Sequence, residues 1–110
     1  MRLPNSDRAF VNLAKLRDYC LNTTHKRGQN KARVFAAALG LTASDAETLR
    51  DALLIAASRY EATPTELTEF GQLYVLDFPM SGPAGQAIVR SSWIVRIGED
   101  FPRLTSCYVL

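Results

Sequence analysis

Few side chains in this chain could do chemistry, and they are dispersed. They are one imidazole, His25, an ammonium at a helix start, Lys31, a mid-strand guanidinium, Arg90, and the hydroxyls of Ser106 and Tyr108. If such a set converges, it supports phosphodiester cleavage without metal. An RNA 2′-hydroxyl attacks its own phosphate, so the protein need only move protons and stabilise charge. Lys31 and Arg90 would hold the phosphorane oxygens, and Ser106 or Tyr108 would add a hydrogen bond. His25 would shuttle the proton, the usual task of an imidazole.

Each of these residues also has a plainer role open to it. Lys31 could lay its stem along the sheet edge and keep its charge in water. Arg90, beside Ser91 and Ser92, needs solvent, an anionic ligand or a carboxylate such as Asp77. Trp93 could offer a stacking platform to a base, yet on its strand it shares a face with Val89 and Val95 and reads as core. A lone loop histidine is usually just exposed.

Other chemistries find no support. There is no P-loop, dinucleotide fingerprint or metalloprotease helix, and no G-x-S-x-G elbow. The Gly-Pro-Ala-Gly stretch lies between strands rather than before a helix, so it is no phosphate cradle. Cys20 and Cys107 have neither metal-site nor disulfide-framework spacing and read as two buried, reduced thiols. No metal or other cofactor is implied.

Charge is unevenly spread. Residues 1–40 carry eight Lys or Arg against two Asp, and residues 41–110 carry five against nine acids, so +6 stands against −4. Between Asp18 and Asp45 there is no acidic residue, and His25, Lys26, Arg27, Lys31 and Arg33 fall in that window. Such asymmetry suggests a surface facing a polyanion, with Arg27 and Arg33 as RNA-binding candidates beside Trp93 and Tyr108. No apolar run approaches the roughly 18–20 residues needed to span a bilayer. The first residues lack the apolar core of a signal peptide. The expectation is a cytoplasmic protein without a membrane partner.

Periodicity supplies the elements that must position these groups. At 110 residues the chain reads as a single domain, 1–110, helical over about 9–60 and sheet over about 71–110. Phe10, Leu13, Leu16 and Cys20 predict a first helix near 9–21. Asn30 would cap a second from Lys31, which Gly40 ends. Ser44 and Glu47 suggest a capping box for a third, with a stripe of Leu49, Leu53, Ala56 and Tyr60. The acidic stretch 61–69 reads as a solvated linker. Tyr74, Leu76 and Phe78 alternate on a strand from Gly71 that Pro79 would end, and 81–85 would turn. Val89, Trp93 and Val95 then face away from Ile88, Arg90, Ser92 and Ile94 on a strand over 87–97. On the last strand Leu104, Ser106 and Tyr108 oppose Thr105, Cys107 and Val109. Helices first and strands after predict an α+β fold, with about three helices on one face of a small antiparallel meander.

The runs 31-KARVFAAALGL-41, 71-GQLYVLDF-78, 82-GPAG-85, 89-VRSSWIV-95 and 98-GEDFPRLTSCYV-109 resemble a family of bacterial domains of uncharacterised function. The resemblance begins at 3-LPNSDRAF-10. Members occur free-standing and as C-terminal modules of polymorphic toxins. That family is in turn remotely similar to the barnase, EndoU, colicin and RelE superfamily of metal-independent ribonucleases. The resemblance implies Lys31, Arg90 and Ser106 as site members, with Trp93 and Tyr108 beside them. Relatives tend to have Thr in place of Ser106, which keeps the hydroxyl, and some have His where this chain has Asn30. The implied activity is that of an RNA-cleaving toxin held by a cognate antitoxin or immunity protein. The competing expectation is a non-catalytic protein-binding module of such a system, which the acidic second half and Asn30 favour.

Overall fold

The computed structural model describes residues 1–110. Helical segments come first, and a four-stranded antiparallel meander follows in chain order: β1, Thr63–Thr68, β2, Gly71–Gly82, β3, Gly85–Arg96, and β4, Pro102–Val109. The expected α+β arrangement is the one found.

Helix α1, Leu13–Lys15, runs directly into a π-turn, Leu16–Cys20, which buries Leu16 and Cys20. Asn12 caps it by accepting from the Lys15 amide at 3.2 Å. The helix is shorter than the predicted 9–21 because the preceding chain has another task. The Phe10 amide donates to the Pro102 carbonyl and the Phe10 carbonyl accepts from the Leu104 amide, both at 2.9 Å. Residue 10 therefore covers one end of the β4 edge, which would otherwise present unpaired backbone groups.

Helix α2, Gln29–Leu39, turns Ala32, Phe35 and Leu39 inward, and Gly40 closes it at φ 70° as the sequence suggests. Its start is not the predicted one. Asn30 lies inside the helix, while His25 Nδ1 accepts from the Arg27 and Gly28 amides, each at 3.1 Å. Helix α3, Ala46–Arg59, buries Ala46, Leu49, Leu53, Ala56 and Ala57. Its capping box lies two residues earlier than expected, on Thr42 and Asp45, and a single 3-10 turn leads into the helix. Tyr60 only half joins the stripe, packing its ring on Phe78.

The stretch predicted as a linker contains strand β1, Thr63–Thr68, paired with β2, Gly71–Gly82. Its signal was silent for a physical reason. It is an exposed edge strand held by pairing rather than burial, so Thr-Pro-Thr-Glu-Leu-Thr shows no apolar alternation. Pro79 does not end β2. The last β1 residue to pair, Thr63, lies opposite Val75, so a residue without an amide hydrogen leaves no bond unmade on that side.

Strands β2 and β3, Gly85–Arg96, are in continuous register from Gly71↔Arg96 to Gly82↔Gly85. Their Pro83-Ala84 turn docks on the end of α2, where the Ala84 amide donates to the Leu39 carbonyl at 3.3 Å. Strand β4, Pro102–Val109, pairs with β3 and carries a bulge at Thr105, since Ser92 faces Ser106 while Trp93 faces Leu104. The bulge corrects the expected alternation. Leu104 and Cys107 face the helices, whereas Ser106 and Tyr108 lie on the other face.

The helices cover one face of the sheet. Phe35, Leu39, Leu49 and Leu53 pack there with Leu76, Phe78, Val89, Trp93, Leu104 and Cys107 in one continuous core. Burying side chains of this size stabilises the fold by about 1.5–3 kcal/mol each. The opposite sheet face carries Asp77, Arg90, Ser92, Ile94, Ser106 and Tyr108 and has no helix over it.

Candidate functional site

Arg90 lies on this uncovered face. Directly opposed to Asp77 on β2, it donates from Nε to Asp77 Oδ1 and from Nη2 to Oδ2, both at 2.8 Å. The register opposes it to Tyr108 on β4, whose hydroxyl lies beside the same guanidinium. Asp77 first and Tyr108 second push the Arg90 titration well above its ordinary range, so the group is a permanent cation. In return, Arg90 pulls the Asp77 carboxyl below the usual carboxylate range.

Lys31 joins the same row from the helical side. It is exposed on the first turn of α2, which packs against β4, and its Nζ lies 4.5 Å from the centre of the Tyr108 ring. This is cation–π distance. Lys31, Tyr108, Arg90 and Asp77 thus form one row across the sheet, perpendicular to the strands. Ser106 occupies the next row, opposite Ser92, about 7 Å along β4 from Tyr108. Two cations and two hydroxyls share an open face, an arrangement suited to an anion with several oxygens.

Four other candidates lie elsewhere. Trp93 is fully buried, and its Nε1–H donates at 2.9 Å to Ser91 Oγ, which in turn donates at 2.7 Å to the Leu76 carbonyl. It has no exposed face on which a base could stack. His25 uses Nδ1 to order the loop before α2, with its ring edge-on to Tyr19 at 4.5 Å. None of its contacts reaches Arg90, Ser106 or Tyr108. Arg33 bonds Gln29 and stands about 200° around α2 from Lys31. Arg27 is exposed in the preceding loop. The last two add positive charge to that side of the molecule without touching the row.

The model described as Domain of unknown function (DUF6883) matches residues 2–110. The chain belongs to this family. Among solved structures, the DUF6883 domain here is similar to a chain of a contact-dependent growth inhibition toxin–immunity protein complex from Klebsiella pneumoniae 342. The TM-score is 0.70 at 14% identity, over 91% of this chain and 98% of that one. At that identity the likeness is one of fold. No curated protein matches the chain.

In this DUF6883 domain sequence reasoning missed Lys15. Its Nζ donates at 2.9 Å to the carbonyl of Thr105, the bulge residue, so a second ammonium stands along the β4 edge. Only the bulge, which no local pattern announces, brings it there. Behind that edge lie Cys20 and Cys107, both buried and free. The neighbouring Cys107 thiol and the two lysines favour the Cys20 thiolate against burial and draw its titration down to about 7, while Cys107 is pushed well up. The two are core residues. No group of three or more His, Cys, Asp or Glu is placed to hold a metal ion. No helix is long and apolar enough to cross a membrane.

Proposed function

We propose that this DUF6883 domain is a metal-independent ribonuclease of a toxin–immunity system, acting on RNA by 2′-hydroxyl attack at the phosphodiester. The observation that carries the reading is the Lys31–Tyr108–Arg90 row on an uncovered sheet face. Lys31 and Arg90 stabilise the charge that grows on the phosphorane oxygens, with Ser106 as a further donor. As the 2′-oxygen bonds to phosphorus, the P–O5′ bond breaks. Tyr108, a hydroxyl that both donates and accepts, takes the 2′-hydroxyl proton and passes its own to the departing 5′-oxygen, the role that His25 is not placed to fill. The fold shared with a chain from a toxin–immunity complex supports a cognate immunity partner.

The test is induction of the protein in a bacterial host, with total RNA resolved on a gel beside an Arg90→Ala control. Growth arrest with new RNA fragments that disappear in the variant is the expected result. Healthy growth with intact RNA, from folded protein, would defeat it. One observation favours a second reading, a non-catalytic protein-binding module: Asp77 already occupies two of the donor nitrogens of Arg90. Under that reading neither RNA cleavage nor growth arrest occurs, and an immunity protein binds the wild type and Arg90→Ala alike.

A further inference from the structure

Beyond the row, the same sheet face carries a hollow of about 550 Å³. It lies between the tip of the β1–β2 hairpin, the end of β3 and the β4 bulge. Glu69, Phe70, Ile94, Arg96, Ile97 and Thr105 line it. Phe70 and Ile97 are 69% and 70% exposed, an unusual state for two large apolar side chains joined by a backbone hydrogen bond at 3.0 Å. Neither Glu69 nor Arg96 takes part in any of the six ion pairs of the molecule.

We propose that this hollow is a nucleobase subsite, so that the domain takes single-stranded rather than duplex RNA. The inference rests on the reading of the row as a phosphate site. A nucleobase has an apolar face and a polar edge, and the hollow offers a counterpart to each. Phe70 supplies a stacking surface and Glu69 an acceptor for amino or ring N–H donors. Arg96, with no carboxylate of its own, meets a neighbouring phosphate. Distance places the base. Ile94, at the near rim, is four residues from Arg90 on one strand, about 13 Å away, and Phe70 lies level with Ile97, about 23 Å away. The base held at Phe70 therefore belongs to a nucleotide several positions along the strand from the one whose phosphate Arg90 holds. Only an unpaired base can turn its face to a side chain in this way.

The experiment is fluorescence anisotropy with labelled, mixed-sequence oligoribonucleotides of increasing length, 2′-O-methylated throughout so that none is cleaved. Wild type, Phe70→Ala and Lys31→Ala are compared after circular dichroism confirms that each is folded. Wild type gains affinity once the strand is long enough to reach the hollow. Phe70→Ala loses that gain, about 5- to 150-fold, while matching wild type on the shortest strands. Lys31→Ala weakens binding at every length, and duplex RNA of equal length shows no gain for either protein. If Phe70→Ala follows wild type at all lengths while Lys31→Ala still weakens binding, the subsite is wrong and the phosphate row stands. If wild type binds no strand of any length, the row falls too, and the apolar hairpin tip is left as a protein-docking surface.

Discussion

Asp77 grips Arg90 through both carboxylate oxygens, each at 2.8 Å, from directly opposed positions on β2 and β3. The pair sits on the uncovered sheet face with side chains 35% and 37% exposed, so solvent screening keeps its contribution to stability small. Its larger consequence is geometric. With Nε and Nη2 committed to Asp77, the planar guanidinium is fixed and Nη1 is left for another acceptor. An arginine aimed in advance meets a phosphate with less ordering cost than a free one.

This pair makes stability depend on pH in a defined direction. Arg90 holds the Asp77 carboxyl below its ordinary value in the folded state, and unfolding releases it. The folded protein is therefore favoured above the ordinary carboxylate range, and that advantage is lost as pH falls through the lower folded value. Denaturant midpoints measured against pH should fall more steeply into acid for wild type than for Asp77→Asn. The other lowered carboxyls are common to both proteins and cancel in the comparison. Parallel curves would show that the pair contributes nothing.

The Trp93–Ser91–Leu76 chain is the polar link inside the core. Ser91→Ala strands the Trp93 N–H and removes the donor to the Leu76 carbonyl, and should cost about 1–3 kcal/mol. Trp93→Phe leaves a cavity in addition and should cost about 2–4 kcal/mol. Because the two share one bond, the double variant should cost less than the sum of the singles. Urea denaturation of all four proteins tests this, and strict additivity would mean that the bond carries no coupling.

Two glycines separate close approach from backbone strain. A Cβ at Gly82 would stand 2.2 Å from the Leu39 carbonyl oxygen, so Gly82→Ala must push the β2–β3 turn off the end of α2. At Gly98, φ is 84° and nothing lies within 4 Å, so Gly98→Ala meets only conformational strain of about 1–2 kcal/mol. Thermal denaturation should show Gly82→Ala to be clearly the less stable. The reverse order would mean that the hairpin does not rest on α2.

What the sequence shows and hides follows from burial. Val89 and Trp93, both fully buried, alternate with Arg90 and Ser92, so the faces of β3 are legible in the sequence. The Asp77–Arg90 pair could be anticipated because the two residues stand at matching distances from the turn at 82–85. β1 was hidden because an exposed edge strand has no apolar face to reveal it. The Thr105 bulge was hidden because an extra residue changes which side chains share a face without changing their composition. That bulge decides the site. It sends Leu104 inward and Ser106 outward, and it gives Lys15 its carbonyl partner. Asn30 reads as a cap because the N-cap found, Gly28, has no side chain to announce it, and the imidazole of His25 orders only the turn before it.

Lys31 and Tyr108 are the pair on which the chemistry can be divided. Tyr108→Phe keeps the ring beneath the Lys31 ammonium and removes only the hydroxyl, so folding stability should barely change. Lys31→Met keeps the length of the stem and removes the charge, at a cost of about 0.5–1 kcal/mol from the lost cation–π contact. On a labelled single-stranded RNA under single-turnover conditions, Lys31→Met should slow cleavage about 10²- to 10³-fold, the effect of losing one preorganised charge stabiliser. Tyr108→Phe should slow it about 10²- to 10⁴-fold, the effect of losing a positioned proton-transfer group. If Tyr108→Phe keeps the wild-type rate while Lys31→Met is slow, the row binds phosphate and the proton moves through water. If both cleave as wild type does, the Lys31–Tyr108 contact is a surface packing feature and the catalytic centre lies off this row.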